Sequence, residues 1–175
     1  MHYSQVAQRY IQQYACLHEE KKAYGTSSEQ QLGYIQRTVC GFNDIDTILD
    51  YGCGRSRLVD WLAKLHDATP FRFDPAITEF AARPNRRFDL VLNTDVLEHI
   101  PETDISAVLA DISHFSPRAF VNISIVEAVQ ILPNGENAHC TVRPKEWWSK
   151  ELLKHYSKIR EVKSYRPTTV SVVTW

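Results

Sequence analysis

Residues 48–62 read ILDYGCGRSRLVDWL, and their types and order define a place for a ligand. An apolar run carries an acid, Asp50, passes two glycines separated by one residue, Gly52 and Gly54, and gives way to helically spaced apolar residues. That order reads as a buried strand, a tight turn and a helix start. A residue without a Cβ lets a ligand touch the backbone. A helix start offers N–H groups that lack intrahelical partners. Further on, FRFDP ends a second short apolar run at Asp74. An acid at the tip of the neighbouring strand is placed to accept from both hydroxyls of a ribose. The ligand these residues call for is a nucleoside cofactor.

Its class follows from charge. A dinucleotide fingerprint needs a third glycine three residues after the second, and room for a pyrophosphate. Arg57 stands there, and Asp50 stands just before the turn. A carboxylate at that point repels a pyrophosphate and attracts a cation. S-adenosylmethionine carries an ammonium and a sulfonium and no phosphate. Through LDYGCG, through Asp74 and through FDLVLNTDVLEHIPE at residues 88–102, the sequence resembles the class I S-adenosylmethionine-dependent methyltransferases. The resemblance covers Thr47 to Ile123 well and the rest loosely. Ser56 departs from it, since the family often has glycine there; serine is tolerated at a helix start because it can cap.

The resemblance implies S-adenosylmethionine as cofactor, held by Tyr24, Asp50, Gly52, Gly54, Asp74 and Pro75 and by Thr94, Asp95 and Val96. Tyr24 lies in an N-terminal loop of the kind that closes over the methionine part of the cofactor in relatives, where its ring can meet the sulfonium. Asp74 can cap the turn at Pro75 and still aim one oxygen into the cleft. On the acceptor side, Thr94 and Asp95 follow a parallel strand's C-terminal end, where ligands bind in open α/β sheets. Val96, Leu97 and Ile100 read as packing residues, Glu98 as a supporting carboxylate, and His99 and His139 as the candidate catalytic residues. The segments 93–101 and 135–148 are expected to face each other across one cleft. Trp147 and Trp148 cannot share one helix face, so one belongs to the core and the other forms an apolar wall over the acceptor.

Methyl transfer needs an aligned acceptor and excluded water. A hydroxyl acceptor is also served by a base, and two histidines beside the cleft incline the reading to a small hydroxylated molecule and to oxygen over nitrogen. The alternative is a cofactor-binding protein that transfers no methyl. No metal site is expected, because histidines and acids do not fall at ligand spacing along the chain. A GxSxG elbow is absent, so hydrolase chemistry has no support in the sequence. The motifs and basic cleft of an enzyme acting on a flipped base are absent too, which argues against nucleic acid.

The elements that must position these residues are legible as hydrophobic periodicity. Tyr3, Val6, Ala7, Tyr10, Ile11, Tyr14 and Leu17 share one face of a first helix. Ser28 and Gln31 form a capping-box pattern for a second, which buries Leu32, Ile35 and Val39 and ends at Gly41 as a glycine cap. Strands follow at 47–51, 70–73, 88–93 and 119–125, alternating with helices at 57–65 and 104–114 and a short helical turn after Pro75. Turn chemistry at Asn134–Gly135 precedes a helix over 144–156. Runs at 158–165 and 170–175 can pair antiparallel. The alternation predicts an α/β fold, a Rossmann-like, mostly parallel sheet with helices on both faces and an antiparallel last strand. The stretch between Asp74 and Phe88 is too short for the family's helix–strand–helix. It predicts an abridged third strand, a stub near 80–83, and a more open adenine pocket. One domain is expected, with a helical cap over 1–42 and a cofactor-binding core over 43–175 that carries an acceptor-side insert at about 126–148.

Composition sets the outer limits. The chain has 175 residues, 43% hydrophobic and 23% charged, with formal net charge −1, ordinary for one globular core. No apolar run reaches membrane-spanning length, and MHYSQVAQRY lacks the apolar core of a signal peptide. Cys16, Cys40, Cys53 and Cys140 form no CxxC pair, which reads as reduced, cytoplasmic thiols. Residues 143–166 hold eight Lys/Arg against three Asp/Glu, a local +5 that leaves −6 elsewhere. A solvated helix face is the preferred reading; an anionic acceptor held near that segment is the sharper one.

Overall fold

The protein is described by a computed structural model covering residues 3–175. Six strands form one sheet: β1 (Thr47–Tyr51), β2 (Thr69–Phe73), β3 (Leu90–Thr94), β4 (Ala119–Ser124), β5 (Arg160–Val162) and β6 (Thr169–Val173). Their order is β2-β1-β3-β4-β6-β5. The first four pair in parallel, while β6 runs antiparallel to both β4 and β5. This is the expected Rossmann-like architecture with its antiparallel last strand.

Parity along each strand sends side chains to two separate cores. Ile48, Leu90, Leu92 and Phe120 point to one face, where α2 (Leu32–Val39) and α3 (Leu58–His66) cover them with Ile35, Val39, Leu58 and Leu62. Leu49, Val91, Val121 and Ile123 point to the other, against α4 (Glu102–Phe115) and α5 (Lys145–Leu152). The chain leaves β1 to one side to make β2, then returns to make β3 on the other. The crevice where such an order reverses is the standard ligand position of an open α/β sheet.

Three local expectations are corrected. No strand forms near 80–83 among the described residues, and β2 is the sheet edge. A 3-10 turn at Thr78–Phe80 folds back instead, Asp74 N donating to the Phe80 carbonyl at 3.0 Å. Arg83 then fastens the loop to α4 through Asp111 (2.6 and 3.0 Å). With so few residues between Asp74 and Phe88, this side-chain clamp replaces a strand. The capping box at Ser28 is absent too: a 3-10 turn, Ser27–Gln31, runs straight into α2 with no side-chain cap. Gly41 is no left-handed cap, since α2 ends through Cys40 in ordinary helical geometry and Phe42 N donates to the Val39 carbonyl. No helix among the described residues is long and apolar enough to cross a membrane.

The first helix, α1 (Gln5–Glu20), packs on the segments that follow β3 and β4, where Tyr14 meets His99 and the Ala138 carbonyl. Ser4 caps it through Ala7 N and also binds the Asp104 carboxylate at the start of α4. Leu17, Leu132 and Ala138 form a third small core between α1 and the segment after β4. Val6, expected inward, is 47% exposed.

Candidate active site

The glycine turn after β1 is pinned by the neighbouring strand. Gly52 N and Cys53 N both donate to the Phe73 carbonyl, and Gly54 N donates to Asp74 Oδ2 at 2.8 Å. The other Asp74 oxygen accepts from Ala76 N at 2.9 Å. Asp74 is therefore a strut and a wall residue at once. Each of its oxygens keeps a lone pair for a ligand. Burial raises its pKa, opposed by those two N–H donors and by His18.

The glycines are needed for contacts inside the protein as well. Gly52 has φ +82, and a Cβ there would lie 2.5 Å from Val96 Cγ2. A Cβ on Gly54, at φ +53, would lie 3.1 Å from the Gly25 carbonyl oxygen, so the N-terminal loop seats directly on the turn. Two N–H groups at the start of α3 are already engaged within the protein. Leu58 N is taken by Ser56 Oγ and Arg57 N by Glu29 Oε1. Ser56 thus takes up one N–H group of the first turn.

One cavity of about 480 Å³ opens over this turn. Gly52, Gly54, Asp74 and Pro75 line one end, with Tyr24 from the N-terminal loop beside them. Thr94, Asp95 and Val96 line the crevice between β1 and β3, and His99 and His139 line the far end. Asp50 does not line the cavity. It is 1% exposed with neither oxygen hydrogen-bonded, and burial lifts its pKa to about 7, helped by Asp74. Its strand parity turns it away from the crevice, which corrects its expected place among the cofactor contacts.

Asp95 adopts φ +56, an uncommon backbone state that Asp tolerates better than most residues. Its N–H donates to the Asn122 carbonyl and its carboxylate accepts from Gln31 Nε2 at 3.3 Å. Burial raises the Asp95 pKa, while Arg166 and His139 pull it back. Arg166 is the single Lys or Arg among the described residues that lines the cavity. Most of the basic C-terminal segment is surface.

At the far end, His99 Nδ1 lies 2.8 Å from the Ala138 carbonyl and His139 Nδ1 lies 2.6 Å from the Val126 carbonyl. Their rings meet edge to face at 4.9 Å, so segments 93–101 and 135–148 do come together. Burial, reinforced by His139, holds the His99 pKa down to about 4. Glu98 is fully buried with Oε1 accepting from Ser124 N at 2.8 Å, and burial keeps its carboxyl well above the usual range.

Neither tryptophan reaches the cavity. Trp148 sits in the core, with Trp147 packed against it at 4.9 Å. The apolar wall comes instead from Tyr3, Ile11 and Tyr14 around α1, which sequence reasoning did not place there, and from Val126, Ala128 and Val129 in the segment expected on the acceptor side. Tyr14 donates to the Ala138 carbonyl at 2.6 Å, tying α1 to the His139 segment. His18, also missed, is buried between Tyr24 and Gly25. Helical spacing had marked the α1 residues only as core-facing, and nothing local distinguishes a face buried against protein from one that borders a cavity.

Residues 5–161 match the model of a family described as a methyltransferase domain. No curated protein sequence matches the chain. Its fold is similar to that of an O-methyltransferase family protein from Burkholderia thailandensis, at 11% identity and TM-score 0.62, over 87% of this chain and 58% of that one. This chain thus spans little more than half of that protein. It is also similar to a 1,6-didemethyltoxoflavin-N1-methyltransferase from the same organism, solved with 1,6-didemethyltoxoflavin and S-adenosylhomocysteine (14% identity, 99% of this chain, 89% of that one, TM-score 0.61). A magnesium protoporphyrin IX methyltransferase from Synechocystis PCC 6803, solved with bound SAM, aligns at 17% identity over 84% of this chain and 79% of that one, TM-score 0.57. With a family match over most of its length and the glycine turn, Asp74 and the reversal crevice gathered at one cavity, the chain belongs to the class I S-adenosylmethionine-dependent methyltransferase family.

Proposed function

We propose that the protein transfers the methyl group of S-adenosylmethionine to an oxygen of a small hydroxylated molecule. The observation that carries this reading is the continuity of one cavity from the glycine turn and Asp74 to His99 and His139. Asp74 and Asp95 supply acceptors for the hydroxyls and ammonium of the cofactor, and the Tyr24 ring suits a sulfonium. Thr94, Pro75 and Val96 complete that wall, with Gly52 and Gly54 giving the backbone its close approach. When bound, the cofactor supplies an electrophilic methyl group.

The protein's own part is to align the acceptor and to exclude water. In this reading residues 1–42 act as a cap and 126–148 as an acceptor wall on a single catalytic domain. Val126 and Val129 give the rim an apolar, exposed character that suits an acceptor with a hydrophobic body. His99 and His139 face the acceptor. Each donates its Nδ1 proton to a backbone carbonyl, which leaves Nε2 with a lone pair toward which a hydroxyl proton can move. Arg166 is the group that would favour an anionic acceptor.

Calorimetry with S-adenosylmethionine, S-adenosylhomocysteine and NAD tests the cofactor half. Heat from NAD with none from the adenosyl ligands would overturn it. Incubation with methyl-labelled cofactor and fractionated metabolites tests the acceptor half. Label in a methoxy group supports the reading; label on nitrogen corrects the acceptor atom; tight adenosyl binding with no transfer to any fraction points to a binding-only protein.

A further inference from the structure

Glu98, His99 and His139 each bring one atom able to ligate a metal to within 4.8 Å of those of the other two. Ligands on one ion stand about 3–3.5 Å apart when each bond is about 2.0–2.2 Å. Small side-chain rotations would close the set.

Independent features aim this cluster at a cation. Both imidazoles have their Nδ1 against a carbonyl oxygen, His99 at 2.8 Å from Ala138 and His139 at 2.6 Å from Val126. A carbonyl only accepts, so the proton sits on Nδ1 and Nε2 keeps its lone pair. Orientation of a ring by its second nitrogen in this way is what metal-binding histidines show. Glu98 is 0% exposed, lines the cavity, and has an Oε2 with no hydrogen-bond partner. Its other oxygen is fixed by Ser124 N, which sets the direction of the free one. A doubly charged ion would satisfy this buried unpaired oxygen.

We propose that Glu98, His99 and His139 bind one divalent transition-metal ion at the acceptor end of the cavity, leaving coordination positions open to the acceptor. Two imidazoles and one carboxylate suit a borderline ion of the zinc, cobalt or iron type over magnesium or calcium. For the acceptor's part, the inference rests on the methyl-transfer reading above. The acceptor hydroxyl binds the ion through oxygen and yields its proton to water. The oxygen's electron pair forms the new bond to the methyl carbon. The pair of the breaking carbon–sulfur bond stays on sulfur, leaving the thioether. The imidazoles then serve as ligands in place of bases.

The test uses the full chain, stripped with a chelator and titrated with Co²⁺ alone, followed by visible absorption and calorimetry. One Co²⁺ per chain, displaced by Zn²⁺, is expected. His139→Ala and Glu98→Gln should each weaken binding at least about tenfold, since removing a ligand costs no less than removing its orienting partner. Thermal unfolding of both variants checks that they fold, and His139 is half-buried, so its variant is the safer one. No Co²⁺ binding by the unaltered protein, or undiminished affinity in both variants, overturns the site. S-adenosylhomocysteine binding is measured on the same samples without metal. If it persists while Co²⁺ binding fails, the cation is wrong and the methyl-transfer reading stands. If Co²⁺ binds and the adenosyl ligand does not, the cation site stands without that reading.

Discussion

The two ends of the cavity are built by different means. At the proposed cofactor end, Gly52, Gly54, Asp74 and Thr94 sit at or just past the ends of adjacent parallel strands, and backbone hydrogen bonds from the turn to Phe73 and Asp74 fix their geometry. At the acceptor end, Glu98 and His99 come from a 3-10 turn after β3, His139 from a loop far along the chain, and Tyr14 from the first helix. Side-chain contacts, a small core around Leu17, Leu132 and Ala138, and a backbone bond from Thr141 N to the Glu98 carbonyl (3.0 Å) join these pieces. A site built on strand ends inherits the sheet's rigidity. One built from a helix and two loops depends on contacts that single substitutions remove, and loops are where variation among relatives concentrates.

The largest effect is expected at the acceptor end. His99→Ala or His139→Ala should lower turnover on the order of 10²–10⁴-fold, with S-adenosylhomocysteine affinity near that of the unaltered protein. A chelator should reproduce the loss and a divalent ion should restore it. Alanine variants that fail while chelation has no effect would make the histidines bases. Normal turnover in both variants would leave alignment alone to carry the rate.

Next comes Gly52, which breaks the notion that the glycine turn serves the ligand only. A Cβ there meets Val96 Cγ2 at 2.5 Å on a backbone with φ +82. Gly52→Ala should therefore destabilise the fold by about 2–4 kcal/mol from overpacking and backbone strain. Adding Val96→Ala should recover the overpacking part and leave the strain. Denaturant unfolding of the two single variants and the double one measures this, and additive effects would mean that Val96 is not the obstacle. The bulkier Gly52→Val is expected to fail as a folded protein, not merely as a binder.

Asp74→Ala should weaken adenosyl binding by about 1.5–3 kcal/mol, the range of a charge-assisted contact. Because the carboxylate also holds Gly54 N and Ala76 N, the variant's thermal stability should fall as well. Unchanged affinity with lowered stability would make Asp74 a strut alone.

The smallest effect concerns Asp50, whose pKa is lifted to about 7 by burial. A folded-state value above the unfolded one means the fold favours the protonated acid. That contribution is complete below the ordinary carboxyl pKa and is lost as pH rises toward 7. Asp50→Asn should flatten the pH dependence of stability between about 4 and 7. An unaltered profile in urea melts across that window would show that Asp50 ionises without penalty.

The legible part of the fold was the part whose periods are local. β1 at Thr47–Tyr51 is read to the residue from its apolar run, and the last two strands pair as their alternation predicts. The stub near 80–83 failed because a loop that short is governed by one long-range clamp, Arg83 on Asp111. No propensity encodes that contact. The capping box failed because a 3-10 turn delivered the chain into α2 without an exposed end to cap.

By itself, the sequence determined the class of fold and which residues gather around the glycine turn at one end of the cavity. Glycine spacing, strand parity and an acid at a strand tip act within a few residues of chain, so their consequences are nearly independent of what packs around them. Tertiary structure alone decided that Asp50 turns away from the cavity, that Trp148 belongs to the core, and that α1 lends Ile11 and Tyr14 to the wall. It also decided that Glu98, His99 and His139 converge. Two of them are neighbours in the chain, but the third arrives through the crossover to β4 and the turn at Gly135. Proximity between such distant residues is set by how whole elements stack, which no local spacing records.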